Sequence, residues 1–262
     1  MAVKNRNIIR RFIDIMLFYM KKIKLFIFLL PVLTLMEGCI PGGFGIRGNG
    51  NVISQSRDLG SFSGIEVSGS MNVFIKQGTP ARATIEAESN LLSYIETGIN
   101  GGTLVIQTQR NTWIQNTKDI NVYITAPDFD KVELSGSGNI NSQGLILNNQ
   151  SFHFRVTGSG DIKANINAPQ INATITGSGN LELSGQTRNI KIDIIGSGTF
   201  YGKPLQGEKV QADILGSGNA QVNASIQLDA TIAGSGNIYY SGNPRISSHI
   251  MGSGSVIKNR GR

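Results

Sequence analysis

The sequence predicts an all-β fold, a right-handed parallel β-helix (β-solenoid) with coils of about 18–22 residues, and three observations lead there. The tripeptide Gly-Ser-Gly occurs seven times, with first glycines at Gly136, Gly158, Gly177, Gly196, Gly216, Gly234 and Gly252 and steps of 22, 19, 19, 20, 18 and 18 residues. A period near twenty marks stacked repeats, each of which buries its apolar face only against its neighbours. Side chains around each tripeptide alternate with period two, which is the period of a strand. Two places before the first glycine stand Leu134, Val156, Ile175, Ile194, Ile214, Ile232 and Ile250; four places after it stand Ile140, Ile162, Leu181, Phe200, Ala220, Ile238 and Val256. Coils that succeed one another in a single direction pair as parallel strands, and parallel crossovers are overwhelmingly right-handed.

Each regular coil is therefore a short strand, a Gly-Ser-Gly corner and a second short strand. The corner needs glycine because a sharp turn repeated coil upon coil demands positive φ, or a close approach that a Cβ would block. The next position is Asn139, Asp161, Asn180, Thr199, Asn219, Asn237 or Ser255. Asn and Asp suit such turns, and stacked amides can form a ladder along the axis.

The first 38 residues read differently. Met20, Lys21, Lys22 and Lys24 precede an apolar run from Leu25 to Met36 that ends at Glu37, Gly38 and Cys39. A charged start followed by an apolar stretch too short to span a bilayer comfortably is the pattern of a secretion signal, with Met20 as an alternative start. The sole cysteine, Cys39, follows the small residue Gly38 as a lipidated cysteine does, although Met36 and Glu37 depart from the usual lipobox. Cys39 is the expected acyl acceptor. Residues 39–56, with five glycines between Pro41 and Gly50, read as a lipid-anchored, Gly-rich tether. Residues 57–262 read as one β-helix domain, with irregular coils over 57–130 and regular ones over 131–262. In the irregular part the pairs Ile65/Val67, Val73/Ile75, Leu104/Ile106 and Val122/Ile124 mark strands, and Ser89 to Ile95 marks one helical turn capped by Ser89 or Asn90.

Charge narrows the partners. The whole chain carries +7, but residues 1–38 hold seven basic and two acidic side chains, so 17 basic and 15 acidic remain, a net of +2. Nucleic-acid binding requires clustered Lys and Arg, which this scatter does not supply. A single cysteine permits no disulfide within the chain.

Several segments in succession carry a family resemblance. Arg57-Asp-Leu-Gly-Ser-Phe-Ser-Gly-Ile-Glu-Val-Ser-Gly-Ser, Asn72-Val-Phe-Ile-Lys-Gln-Gly, Ala87-Glu-Ser-Asn-Leu-Leu and Tyr123-Ile-Thr-Ala-Pro, followed by Val132-Glu-Leu-Ser-Gly-Ser-Gly, resemble the family named Putative auto-transporter adhesin, head GIN domain. The likeness covers roughly residues 57 to 240. It implies an envelope-facing bacterial β-helix and carries over no binding residues.

Catalytic chemistry finds little support in the sequence. A β-helix lyase or hydrolase needs carboxylates, bases or metal ligands gathered on one outer face. Asp193 and Asp213 share one column on adjacent coils, placed to bind a cation, flank a glycosidic bond or simply be solvated. His153 and His249 fall five coils apart, about 24 Å at the strand spacing, too far to share a proton or a metal. The column just before the first glycine turns apolar at Ile195, Leu215 and Met251; strand parity points it outward, and with Tyr201 and Tyr239 nearby it offers an exposed patch for a protein or glycan. A corner that bends the chain would instead turn these side chains in.

The reading that follows is a non-enzymatic binding or adhesion module of the bacterial cell envelope. It is expected to be an outer-membrane lipoprotein on either face, held by its lipid, with a glycan or protein ligand, no nucleic-acid partner, no cofactor and no metal. The alternatives are a carbohydrate-active β-helix enzyme and a structural envelope scaffold.

Overall fold

The computed structural model describes residues 45–259, so the secretion signal, the Cys39 acyl site and the tether up to residue 44 lie outside the described residues. The domain is 70% strand, and its stacked parallel coils form a β-solenoid of about 7 turns. The only helical element among the described residues is the single 3-10 turn Leu92–Tyr94.

The columns read from the sequence stack in register. Ile175 pairs with Ile194 and Ile194 with Ile214, while Leu181 pairs with Phe200 and Phe200 with Ala220. All are buried, and they belong to one continuous core that runs from Phe62 to Ile238. Each fully enclosed aliphatic side chain contributes on the order of 1.5–3 kcal/mol. The exception is the final coil among the described residues, where Ile246 and Ile250 are 41% and 40% exposed on a strand paired on one side only.

At the corner, one carbonyl takes two donors. The Gly177 oxygen accepts the N–H groups of Ser197 and Gly198 at 2.8 and 3.0 Å, and the Gly196 oxygen accepts those of Ser217 and Gly218 at 2.9 and 3.0 Å. Gly196 has φ of 121°, and a Cβ there would lie 2.5 Å from the Gly177 oxygen. Positive φ and close approach therefore act together. An eighth corner precedes the seven: Gly69, with φ of 127°, pairs with Gly136 across 67 residues, and Met71 stands where later coils have the second glycine.

The long separation between those two corners is filled by the irregular part. Thr103–Thr108 and Asn121–Ala126 add parallel strands beneath Gly64–Gly69 and Asn72–Gln77. Arg82–Glu88 runs antiparallel to both Val52–Asp58 and Asn121–Ala126, and Ile95–Asn100 runs antiparallel to Thr103–Thr108. The N-terminal end is thus closed by reversed strands where further parallel coils would otherwise continue.

Two local expectations need correction. The tether expected over residues 39–56 ends sooner: Ile46–Arg47 pairs with Ile114–Gln115 and Val52–Asp58 pairs with Arg82–Glu88. Residues 52–58 find the edge of Arg82–Glu88 to join, and Gly45 and Gly48 pack closely against Trp113 and Glu88. The 3-10 turn has no side-chain cap. Ser89 and Asn90 instead hold the entering segment: Asn49 Nδ2 donates to Ser89 Oγ at 2.8 Å, and Asn90 Nδ2 donates to the Arg47 carbonyl at 2.8 Å. The turn is secured from its other end, where the Arg57 guanidinium donates to the carbonyls of Ile95 and Leu92 at 2.7 and 3.2 Å.

Candidate functional site

Every regular coil turns alternate side chains outward, so the surface consists of columns whose members sit about 4.8 Å apart. Function in such a molecule is a matter of which columns carry which chemistry.

The acidic pair is adjacent, as its spacing requires: Asp193 and Asp213 are direct partners on neighbouring strands, with Thr174 and Thr231 beyond them. Each is engaged within its own coil. Lys191 Nζ lies 3.1 Å from Asp193 Oδ2, and Gln211 Nε2 donates to Asp213 Oδ2 at 2.8 Å. Among the described residues no group of three His, Cys, Asp or Glu side chains is placed to hold a metal ion. His153 and His249 fall in different columns, five coils apart.

The column before the first glycine faces outward. Thr176, Ile195, Leu215, Ala233 and Met251 stack in that order, and Ile195, Leu215 and Met251 are 48%, 57% and 55% exposed. Strand parity survives to the corner because the chain bends only at the glycine itself. On the far flank of the corner a second column runs Glu182, Tyr201, Gln221, Tyr239 and Ile257. Tyr201 is 40% exposed and Tyr239 is half-buried. The Gly-Ser-Gly ridge is thereby bordered on one side by Ile195, Leu215 and Met251 and on the other by a column in which Tyr201 and Tyr239 alternate with the polar Glu182 and Gln221. Rigid backbone pairing fixes their spacing.

The second corner of each coil holds a groove of about 980 Å³. Its floor is a column in which Leu147 pairs with Asn167, Asn167 with Gln186, and Gln186 with Gln206. A smaller hollow of about 270 Å³ follows on the adjoining sheet face, between Asn172, Lys191 and Gln211.

Glu88 is the one fully buried charged side chain among the described residues. Burial pushes its carboxyl up, but hydrogen bonds from the Thr117 hydroxyl and from the N–H groups of Thr117, Gly50 and Lys118 overcome this and leave it lowered to about 2. The distances are 2.7, 2.7, 2.6 and 3.3 Å. With every acceptor site used, this carboxylate joins the entering segment to the 117–118 loop and is not free for catalysis.

The family model described as Putative auto-transporter adhesin, head GIN domain, matches residues 61–244. The chain belongs to that family. No curated protein matches it. Among solved structures, this head GIN domain is similar to a putative adhesin from Bacteroides fragilis NCTC 9343, at 21% identity and a TM-score of 0.76, over 82% of this chain and 100% of that one. A putative lipid binding protein from Parabacteroides distasonis ATCC 8503 is 25% identical with a TM-score of 0.72, over 83% and 100%. A putative adhesin from Parabacteroides merdae ATCC 43184 is 21% identical with a TM-score of 0.63, over 83% and 100%. Membership in the head GIN domain family points to a cell-envelope or surface protein with a non-enzymatic role. No helix among the described residues is long and apolar enough to cross a membrane.

Sequence reasoning missed two features of this head GIN domain. The amide column lies 9 residues after Gly158 and Gly177 but 10 after Gly196 and 11 after Gly136, so counting from the glycines scatters it. Outward bulges cause the drift, as where the register between neighbouring strands shifts from Asn141 to Leu145. Glu88 was quoted within a motif, but a buried carboxylate among exposed ones leaves no mark in a pattern of polar and apolar residues.

Proposed function

We propose that this head GIN domain is a non-enzymatic adhesion module, tethered to the bacterial envelope by an acyl group on Cys39, that engages a protein partner through its Gly-Ser-Gly ridge. The observation that carries the reading is the outward apolar column of Ile195, Leu215 and Met251, exposed on a backbone too regular to fold it away. Family membership supports the envelope setting, and the absence of a free acid–base pair at Asp193 and Asp213 supports binding over turnover.

The test uses the full chain on cells. Replacing Ile195, Leu215 and Met251 together by Ser is expected to reduce attachment to neighbouring cells while circular dichroism and Tm stay unchanged, since all three side chains already face water. Cys39→Ser is expected to abolish fatty-acid labelling and to release the intact protein from the membrane fraction. Undiminished attachment by the triple variant would reject the ridge as the site, and turnover of a polysaccharide by the native protein would favour the enzyme alternative.

A further inference from the structure

The groove at the second corner lies well away from the ridge. Along the strand Asn180–Gly196, Arg188 at the groove and Ile195 at the ridge are seven residues apart, about 23 Å of extended chain. The two surfaces are separate.

The lining of the groove has a definite chemistry. Its floor places Asn167, Gln186 and Gln206 on three successive coils, with Leu147 completing the column and Pro169 at the wall. The column spans about 14 Å. Asn167 Oδ1 accepts the Gln186 N–H at 2.9 Å, which fixes the first amide. The Gln186 and Gln206 side chains make no hydrogen bond within the described residues and are exposed. Charge is sparse and balanced: Arg188 and Glu208 are the only charged residues of the lining.

We propose that this groove binds a neutral polysaccharide strand. An amide offers a donor pair and an acceptor side by side, which matches vicinal sugar hydroxyls that both give and accept hydrogen bonds. Leu147 and Pro169 supply apolar surface for the C–H faces of the rings. Amides lose less than charged groups do when water is displaced, so a neutral ligand can be gripped without the cost of burying ions. The volume lies at the upper end of the range for small-ligand sites, enough for a short run of rings. A rung spacing near 4.8 Å presents a fresh amide to each successive sugar of an extended chain. A polyanion such as nucleic acid or a uronic-acid polymer would meet one cation and one anion here and gain nothing from charge.

The experiment is calorimetric titration of the native protein with cellohexaose, chitohexaose, maltohexaose and laminarihexaose, with polygalacturonate as the acidic comparison. At least one neutral hexasaccharide is expected to bind, with an affinity insensitive to salt. Gln186→Ala combined with Gln206→Ala is expected to weaken it about tenfold without moving Tm, because both side chains are solvent-exposed. Failure of all four neutral sugars, binding of polygalacturonate alone, or an affinity unchanged in the double variant would overturn the proposal. None of these outcomes bears on the ridge, whose own test leaves Gln186 and Gln206 intact.

Discussion

Glu88 shows how a single side chain fixes the place where the chain enters the domain. Its carboxylate accepts from both sides of the junction, and Gly48 packs so closely against it that any Cβ at that position would collide with the carboxylate. Because its pKa is lowered from 4.5 to about 2, the stability it contributes is fully present above about pH 4.5 and is lost as pH falls toward 2. Glu88→Gln keeps the shape but turns an acceptor into an amide whose N–H groups face other donors. The substitution is expected to lower Tm at neutral pH, and the gap from the native protein should narrow steadily between pH 4.5 and 2. A gap that stays constant with pH would mean that the carboxylate's charge is not what holds the junction.

At the scale of one coil, the corner glycines and the inner isoleucines make separable claims. Gly196→Ala meets both a left-handed backbone and the Gly177 oxygen, and the backbone conformation alone costs about 1–3 kcal/mol. Ser197→Ala, on the exposed middle residue, is expected to change stability by less than about 0.5 kcal/mol. Chemical denaturation of the two variants compares them directly. Ile194 and Ile250 occupy one column but not one environment, being 0% and 40% exposed. Ile194→Asp should prevent folding because an unpaired charge would enter the core, whereas Ile250→Asp should leave a cooperative melt. Equal damage from both would show that the last coil is as enclosed as the middle ones.

The contrast between these residues also marks how much was legible from residue order. Coil period, parallel register and inner columns follow from Gly-Ser-Gly spacing and period two, since both are strictly local signals repeated many times. The outward apolar column was legible only as one of two options: Ile195 and Leu215 obey the parity that buries Ile194 and Ile214, but a single chain offers no local signal for whether the corner bends them inward. The reversed strands at the N-terminal end were not, because Arg82–Glu88 alternates as any strand does and nothing in alternation encodes direction. The Asn167–Gln186–Gln206 floor was hidden by bulges that change the residue count without changing the stack.

At the scale of the whole domain, the two ends differ in kind. Antiparallel strands and the Glu88 junction close the first, while the second stops at Arg245–Gly252 and Ser255–Lys258, each paired on one side only. In a molecule where each coil contacts only its neighbours, stability accumulates roughly coil by coil and no distant contact fixes the length. A coil added at any point of the stack would extend the molecule by about 4.8 Å and lengthen the columns beside both corners together. Reach and valency in this architecture are inherited as one quantity.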